Sequence, residues 1–288
     1  MVYEGSMNQA DARARAASLT EQLRHHNYRY YVLDSPEVDD FEYDELFREL
    51  QRLEEQFPAL RSADSPTQRV GDEPSSEFSS YRHRTPMLSL ANAMEPDALH
   101  DFDERLRRHL GDWPAETPLE FVCEPKFDGL AMELVYENGL LTVAATRGNG
   151  TVGEDVTANV KTIKAIPLRI TGTDEYPVPP LLEVRGEVYM RTADFDRVNA
   201  QRVEAGLEAF KNPRNVAAGS LRQLDPKNTA QRRLRFFGYA LGVVEGYAGK
   251  PIASQMDVLD ALRAWRFPIF DDIQLRSGPA EVIEYFEA

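Results

Sequence analysis

An Asn-Gly pair between two strand-like runs is the feature that most limits the fold of this chain. The runs are Leu130 to Tyr136 and Leu140 to Thr146, and only Glu137-Asn138-Gly139 separates them. Asn-Gly accepts the positive φ angles of a type I′ turn, which is the tight turn that joins two antiparallel strands. We therefore predict a β-hairpin here.

The N-terminal part, from residue 7 to about residue 60, has the pattern of a helical hairpin. A break at Asp34-Ser35-Pro36 separates two helices, and the second begins near Asp39 or Asp40, either of which can cap it. Apolar residues recur at roughly helical spacing in both helices. They are Ala16, Leu19, Leu23 and Tyr30 in the first, and Leu46, Leu50, Leu53 and Phe57 in the second.

Further helices and strands alternate along the rest of the chain. Strands are predicted over residues 181–190 and 234–244, and helices over residues 96–110 and 192–206, with two short helices after Ala253. Hairpins mixed with a few helices imply antiparallel sheets, so we predict the α+β class, with a small helical hairpin domain preceding a domain of antiparallel sheets and flanking helices.

The two predicted domains and the residues before them divide the chain into three segments. Residues 1–6 precede a second methionine, Met7, and are expected to be a leader. Residues 7–74 form the predicted helical domain, and residues 75–288 form the predicted sheet domain. Residues 61–86 are rich in Ser, Pro, Asp and Arg, which predicts a linker that wraps over a surface.

Charge and cysteine content exclude several classes of protein. The net charge of −15 argues against a chain that grips DNA by itself, since duplex affinity depends on neutralising phosphates. The single cysteine, Cys123, excludes a disulfide framework and a four-cysteine zinc site within this chain. We find no apolar run long enough for a membrane span and no secretory signal, so we expect a cytoplasmic monomer.

Lys126 lies between two carboxylates, Glu124 and Asp128. If the strand that starts at Leu119 continues through them, all three side chains project to one side. They could be paired charges on a surface strand. Spacing alone favours that interpretation. If they instead surround a nucleophile, the flanking carboxylates would raise the pKa of the lysine, so Mg²⁺ or an arginine would have to offset them. Gly129 permits the close approach of another group.

The segment that follows Arg147 contains a formal G-x-G-x-x-G, from Gly148 to Gly153. Asp174 and Glu175 follow about twenty residues later, as a dinucleotide-binding fingerprint requires. The preceding strand, however, belongs to the Asn-Gly hairpin and not to a parallel βαβ unit. We therefore reject the Rossmann interpretation.

Two further charged patterns each allow two interpretations. Glu183, Arg185 and Glu187 share one face of a strand and could form a cross-strand ladder, or Glu187 could accept a hydrogen bond from a ribose hydroxyl. Arg214 and Arg222 stand eight residues apart near small residues, and they could clamp a phosphate or simply be solvated.

Asp40, Tyr43 and Asp44 lie on one face of the second helix, because Tyr43 and Asp44 follow Asp40 by 3 and 4 residues. Tyr30 ends the preceding helix and could lie opposite them. An aromatic pair with carboxylates suits a flat cationic ring such as nicotinamide. The alternative is a solvated face with a partly buried tyrosine.

Taken together, these stretches resemble the N-terminal part of a bacterial NAD-dependent DNA ligase, from about His25 onward. Lysine-x-Asp-Gly alone is shared with ATP-dependent ligases, RNA ligases and capping enzymes, whereas the helical hairpin before it singles out the NAD-dependent enzymes. The motifs are His25-His26-Asn27-Tyr28-Arg29-Tyr30-Tyr31, Asp64-Ser65-Pro66-Thr67-Gln68-Arg69-Val70-Gly71, Pro86-Met87-Leu88-Ser89-Leu90, Lys126-Phe127-Asp128-Gly129, Ala145-Thr146-Arg147-Gly148 with Gly153-Glu154-Asp155, and Asn212-Pro213-Arg214-Asn215.

The resemblance implies a nucleotidyltransferase domain that uses NAD and Mg²⁺. Lys126 would form an AMP-lysine phosphoramidate and release nicotinamide mononucleotide. Glu124 would contact the adenine, while Arg147 and Glu187 would hold the ribose and its surroundings.

The resemblance also implies residues for the rest of the nucleotide pocket, the phosphates and the nicotinamide half of NAD. Ser89 and Leu90 would line the nucleotide pocket, and Asp128 is placed among the cofactor-binding residues. Arg214 and Arg222 would face phosphate of the cofactor or of nicked DNA. The nicotinamide mononucleotide half would be held by Tyr30, Asp40, Tyr43 and Asp44.

The family's later motifs are not found in this sequence. The Asp-Gly-Val-Val-x-Lys strand is absent, as are the oligonucleotide-binding, four-cysteine zinc, helix-hairpin-helix and BRCT parts. We therefore expect a truncated chain that labels weakly or not at all with NAD, cannot complete ligation, binds nicked duplex DNA weakly, and leaves zinc to the missing part.

Two other functions stay open from the sequence. The chain could be a module that binds NAD without becoming adenylated, or it could be an ATP-using ligase or capping enzyme. The face that carries Tyr43 and Asp44 speaks against the use of ATP.

Overall fold

A computed structural model describes residues 8–33, 35–69, 77–93, 95–114 and 116–288. The predicted leader, the break residue Asp34, the motif residues Val70 and Gly71, and the predicted boundary between residues 74 and 75 lie outside the described residues. So does the side chain of Asp40.

The elements are numbered in chain order. The helices are α1 (Gln9–Tyr31), α2 (Asp40–Gln56), α3 (Pro96–Leu110), α4 (Thr157–Lys161), α5 (Thr192–Glu204), α6 (Pro213–Leu221), α7 (Pro226–Ala230), α8 (Gln255–Ala264) and α9 (Gly278–Glu287), with 3₁₀ turns at Pro58–Leu60 and Pro66–Arg69. The strands are β1 (Ser80–Arg82), β2 (Glu120–Cys123), β3 (Leu130–Glu137), β4 (Leu140–Thr146), β5 (Val152–Glu154), β6 (Leu181–Met190), β7 (Leu234–Glu245) and β8 (Gln274–Ser277).

A four-stranded antiparallel sheet, in the order β4-β3-β6-β7, forms the largest sheet of the described residues. Its first hairpin turns at Asn138 and Gly139, whose φ angles are 49° and 79°. Glu137 pairs with Leu140 directly across this two-residue loop. The predicted hairpin and the predicted α+β class are both confirmed. The short elements α4, α6, α7, β1, β5 and β8 were not predicted.

Helices α1 and α2 form the predicted hairpin and share one apolar core. Asp39, not Asp40, caps α2, and it forms a capping box with Glu42. The core consists of Ala12, Ala16, Leu19, Leu23, Leu50 and Leu53.

The predicted linker begins as an ordered connection between α2 and the sheet. Ser65 donates a hydrogen bond of 2.6 Å to Glu54 on α2. Asp64 accepts from Arg169 at 2.5 Å, close to the sheet. Arg69 is half-buried, and it donates to the carbonyls of Lys161, Ile163 and Ile166 at 3.0 to 3.1 Å. Lys161 ends α4, and the other two residues follow it.

The chain divides into two compact units. The first comprises Met1–Pro86 and Asp128–Ile269, and it contains the helical hairpin and the four-stranded sheet. The second comprises Met87–Phe127 and Phe270–Ala288. In the second unit, β2 pairs with β8, and Phe102 of α3 packs against Phe121 of β2. Within the described residues, no helix has the length and apolar character needed to cross a membrane.

Candidate active site

The segment around Lys126 is a connection and not part of a strand. Strand β2 ends at Cys123 and β3 begins at Leu130, so the condition that a strand continues through Lys126 is not met. Pro125 explains the end of the strand, because it has no backbone N–H to donate to a sheet. Glu124, Lys126 and Asp128 are all exposed, and their common direction is not enforced by strand geometry.

Neighbouring residues within the second unit anchor Lys126 on both sides. Cys123 is buried in β2 three residues earlier. Phe127 follows directly and packs edge-on against Phe270, with 5.4 Å between the ring centroids. The exposed amine therefore stands on a backbone that is held by the apolar residues beside it.

Gly129 is required by a close contact between two strands. A Cβ atom at this position would lie 2.2 Å from the carbonyl oxygen of Val188 on β6. The close approach that the glycine suggested is therefore explained by the neighbouring strand. The glycine of the Lys-x-Asp-Gly motif therefore allows β3 and β6 to pack closely at this point.

Arg214 and Arg222 both form surface ion pairs in the first unit. Arg214, at the start of α6, donates to Asp128 at 2.9 Å, so the structure brings these two predicted residues together. Arg222 follows the same helix and donates to Glu154 at 2.6 Å. It also borders a shallow depression that includes Asn215. Both side chains remain roughly half exposed, so either could exchange its carboxylate for a phosphate.

Arg147 begins a tight connection between β4 and β5. Gly148 has a φ of 56°, and a Cβ atom there would lie 1.9 Å from the carbonyl oxygen of Val152. A Cβ atom on Gly153 would lie 1.7 Å from the carbonyl oxygen of Thr146. The glycines therefore fold a turn that enters a strand and not a helix, which confirms the rejection of a Rossmann fingerprint.

A buried charged network supports the Arg147 connection, and the sequence analysis did not predict it. The ring of His83 is buried, and its Nδ1 lies 2.5 Å from Glu133 of β3. Its Nε2 lies 3.1 and 3.2 Å from the carbonyl oxygens of Thr146 and Arg147. Arg185 also reaches Glu133, at 3.0 Å. A glutamate inside an otherwise apolar strand was the available signal, because a buried carboxylate needs partners.

The strand that carries Glu187 fits the ladder interpretation in part. Arg185 pairs across the sheet with Glu133, its direct register partner. Glu183 is fully buried, and it accepts from Arg84 at 2.8 Å and from the backbone of Val243 at 2.9 Å. Glu187 is half-buried on the same strand, beside the backbone near Gly129.

The hairpin tyrosines lie against a cation of the first unit. Tyr43 donates a hydrogen bond of 3.1 Å to Asn27. Burial raises the pKa of Tyr43 by more than the nearby charge of Lys164 lowers it, so the net shift is upward. The Nζ of Lys164 lies 5.5 Å from the ring centroids of both Tyr31 and Tyr43. Tyr30 is 38% exposed, and its ring lies 4.7 Å from that of Tyr31. Lys164 thus forms a cation–π contact with both Tyr31 and Tyr43.

Asp44, Ser89 and Leu90 are all exposed. Asp44 is exposed and lies 3.6 Å from Arg48 on the same helix. Ser89 and Leu90 are exposed in the second unit, where Leu90 keeps 79% of its surface accessible. The side chain of Asp40 lies outside the described residues.

The predicted site residues fall into two groups, because the boundary between the units lies between Phe127 and Asp128. The second unit contains Ser89, Leu90, Glu124 and Lys126. The first unit contains Tyr30, Asp40, Tyr43, Asp44, Asp128, Arg147, Glu187, Arg214 and Arg222.

A cavity in the first unit lies between α1 and the segment that follows α4. It is rich in cations, and its lining includes Arg24, Arg69, Lys164, Arg169 and Arg266. Arg24 and Arg169 share Asp64 as their partner. None of the predicted site residues is among those that line it.

Comparison with known families identifies both parts of the chain. Residues 75–288 match the family model of the NAD-dependent DNA ligase adenylation domain. Residues 9–71 match that of the DNA ligase-like, N-terminal NAD⁺-binding domain.

Curated relatives agree with these matches. The chain is 52% identical to a DNA ligase of Geotalea daltonii, over 97% of this chain and 41% of the relative. It is 54% identical to one of Syntrophobacter fumaroxidans, over 90% and 38%, and 50% identical to one of Roseiflexus castenholzii, over 97% and 39%. The chain thus spans about 40% of the length of these relatives.

Proposed function

This chain belongs to the NAD-dependent DNA ligase family, and from that membership we propose that it transfers AMP from NAD to its own Lys126. The observation that carries the proposal is the match of residues 75–288 to the family's adenylation domain, which includes the Lys-x-Asp-Gly motif. An exposed lysine between anchored neighbours supports the assignment of the nucleophile.

The proposed step is a displacement at the α-phosphorus of NAD. The neutral amine of Lys126 attacks, a P–N bond forms, and the P–O bond to the bridging oxygen breaks. Nicotinamide mononucleotide leaves with that oxygen, and the lysine nitrogen loses its proton. Because only a neutral amine attacks, the positive charges around the phosphates must favour the deprotonated form of Lys126.

We assign the adenylate half of NAD to the residues that the family resemblance implies. Glu124 contacts the adenine, and Arg147 and Glu187 hold the ribose. The rigid glycine turn and the His83 contacts to the Arg147 carbonyl support a fixed position for Arg147. Ser89 and Leu90 line the nucleotide pocket in this assignment.

We assign the nicotinamide half to the hairpin, through Tyr30, Asp40, Tyr43 and Asp44. Nicotinamide in NAD is a flat cation, and aromatic faces attract cations. The Nζ of Lys164 lies 5.5 Å from the ring centroid of Tyr43, which supports a cation-accepting role for this ring.

Mg²⁺ belongs to the proposal as the ion that offsets the charge of the pyrophosphate when it is bound. Asp128 is an exposed carboxylate, which is the ligand type that Mg²⁺ prefers, so its chemistry fits the ion. We further propose that the full activity is the sealing of nicks in duplex DNA during replication and repair, by a cytoplasmic, monomeric enzyme.

The test is incubation of the chain with NAD and Mg²⁺, followed by intact-mass spectrometry. Because this chain is expected to label only weakly, the mass of one AMP should appear on a small fraction of the wild type, and Lys126→Ala should gain none. The matched control is Lys227→Ala, which removes an exposed lysine of α7 and should label like the wild type.

Three results would contradict the proposal. Labelling that survives Lys126→Ala would remove the assigned nucleophile. Binding of NAD without a gain of mass would indicate a binding module without catalysis. Labelling by ATP and not by NAD would indicate an ATP-using nucleotidyltransferase.

A further inference from the structure

Two adjacent histidines and a glutamate form a cluster that the proposed function does not use. His25 and His26 lie in the C-terminal half of α1, and Glu37 lies in the connection between α1 and α2. Each offers one ligand atom, and these three atoms all lie within 4.8 Å of one another. The cluster thus joins a helix to the loop that follows it.

The two oxygens of Glu37 have different partners. Oε2 lies 2.6 Å from Nε2 of His25. Oε1 lies 3.1 Å from Nε of Arg29, one helical turn further along α1. Arg29 therefore forms an ion pair with one oxygen, and the other oxygen lies against His25. An outer partner of this kind is usual for a carboxylate that binds a metal ion.

One ring nitrogen of His26 is not engaged in a hydrogen bond with the described residues. Its Nδ1 is buried and has no hydrogen-bond partner among the described residues. Burial lowers the pKa of His26, and the neighbouring charge of His25 lowers it further, while Glu37 and Glu42 raise it by less. Burial and the charge of His25 both favour the neutral imidazole, which is the form that binds metals.

We propose that His25, His26 and Glu37 bind a divalent transition-metal ion, with Zn²⁺ as the best-fitting ion. Two imidazoles and one carboxylate are a donor set that zinc accepts, whereas Mg²⁺ and Ca²⁺ prefer oxygen ligands alone. Solvent supplies the fourth ligand, because the side chains of His25 and Glu37 are each about half exposed.

The geometry requires only a small contraction. Zinc bonds of about 2.0–2.1 Å in a tetrahedron place neighbouring ligand atoms about 3.3 Å apart. The atoms of the cluster start within 4.8 Å of one another, so rotations of exposed side chains can close the site. The hydrogen bond between His25 and Glu37 gives way to two bonds to the metal.

Binding would fasten the connection between the helices to α1. Glu37 stands two residues before Asp39, the residue that caps α2. The charged groups that face the cluster are Arg29, which opposes a cation, and Glu42, which favours one. Affinity should fall as the pH is lowered, because protons compete for both histidines and for the carboxylate.

The test uses the whole chain, prepared without a histidine tag, and Co²⁺ as a spectroscopic probe that Zn²⁺ displaces. The wild type should show saturable binding with the strong visible absorption of tetrahedral cobalt. His25→Ala, His26→Ala and Glu37→Gln should each weaken binding about tenfold or more, since even outer partners contribute 10- to 100-fold. Circular dichroism checks that α1 and α2 remain folded in each variant.

The matched control removes two other exposed histidines. His100 and His109 lie on α3, and the double variant His100→Ala/His109→Ala should bind cobalt like the wild type. Equal affinity in the wild type and in His25→Ala and His26→Ala would overturn the site. So would binding that shows only weak octahedral absorption.

Discussion

At the scale of single residues, Gly129 separates the structural part of the lysine motif from its chemical part. Lys126 is exposed, whereas Gly129 is buried against the backbone of β6. The glycine allows β3 to begin directly after the lysine segment, with Leu130 paired to Val188. The chemistry of the motif and the packing of the sheet therefore depend on different residues.

Gly129→Ala should destabilise the protein, because its new Cβ would lie 2.2 Å from a backbone oxygen that cannot rotate away. We expect a loss of about 1–3 kcal/mol in the free energy of unfolding, as for other overpacked positions. The control is Gly219→Ala in α6, where no atom lies within 4 Å and alanine should stabilise the helix by up to about 1 kcal/mol. Urea unfolding measures both, and an unchanged midpoint for Gly129→Ala would contradict the contact.

At the scale of elements, the Asp64 to Arg69 part of the linker fastens the helical hairpin to the rest of the first unit. Asp64 pairs with Arg24 of α1 and with Arg169, and Arg69 binds carbonyls at the end of α4. Burial lowers the pKa of Arg69 to about 10, so it remains charged near neutral pH. The contacts of this motif thus dock the helical hairpin onto the rest of the first unit.

The Asp64 pair should make stability depend on pH. Burial alone would raise the pKa of Asp64, but hydrogen bonds from Arg169 and Ser62, with the charges of Arg24 and Arg169, outweigh it and lower the pKa. A lowered folded-state pKa means that the stabilisation is complete above the ordinary aspartate value and is lost as the pH falls through the folded-state value.

Asp64→Asn should therefore cost about 2–3 kcal/mol at pH 7, because two arginines lose a largely buried carboxylate. The difference from the wild type should shrink as the pH falls below about 4. Asp260→Asn removes an exposed partner of Arg263 and should change stability by less than about 0.5 kcal/mol. A difference that is constant from pH 7 to pH 3 would show that the charge of Asp64 is not what stabilises the docking.

At the scale of the whole molecule, acidic charge limits the binding of DNA. The chain carries 33 basic and 48 acidic residues. The two arginines assigned to phosphate, Arg214 and Arg222, already form ion pairs with carboxylates. A DNA backbone would have to displace those carboxylates against the overall charge.

Nicked duplex DNA should accordingly bind this chain weakly. Fluorescence anisotropy at about 0.15 M salt should show no saturation at micromolar protein, and any binding at lower salt should disappear steeply as salt is added. An intact duplex of the same sequence is the control. Saturable, nick-specific binding at submicromolar protein would contradict the expectation.

The sequence by itself determined the features that depend on nearby residues. Asn138 and Gly139 fixed the turn of the β3–β4 hairpin, and periodic apolar residues fixed α1 and α2. These signals act over a few residues, so no other part of the chain is needed to interpret them. The family motifs were likewise recognisable from local sequence and agree with the matches over residues 9–71 and 75–288.

Only the tertiary structure decided where the buried charges find their partners. His83 meets Glu133 across 50 residues of sequence, and Arg69 reaches the carbonyl of Ile166 across 97. A buried charge must be paired, but nothing local states which distant group pairs with it. The need for glycine at position 129 is also set by a distant residue, because the carbonyl oxygen of Val188 on β6 leaves no room for a side chain there.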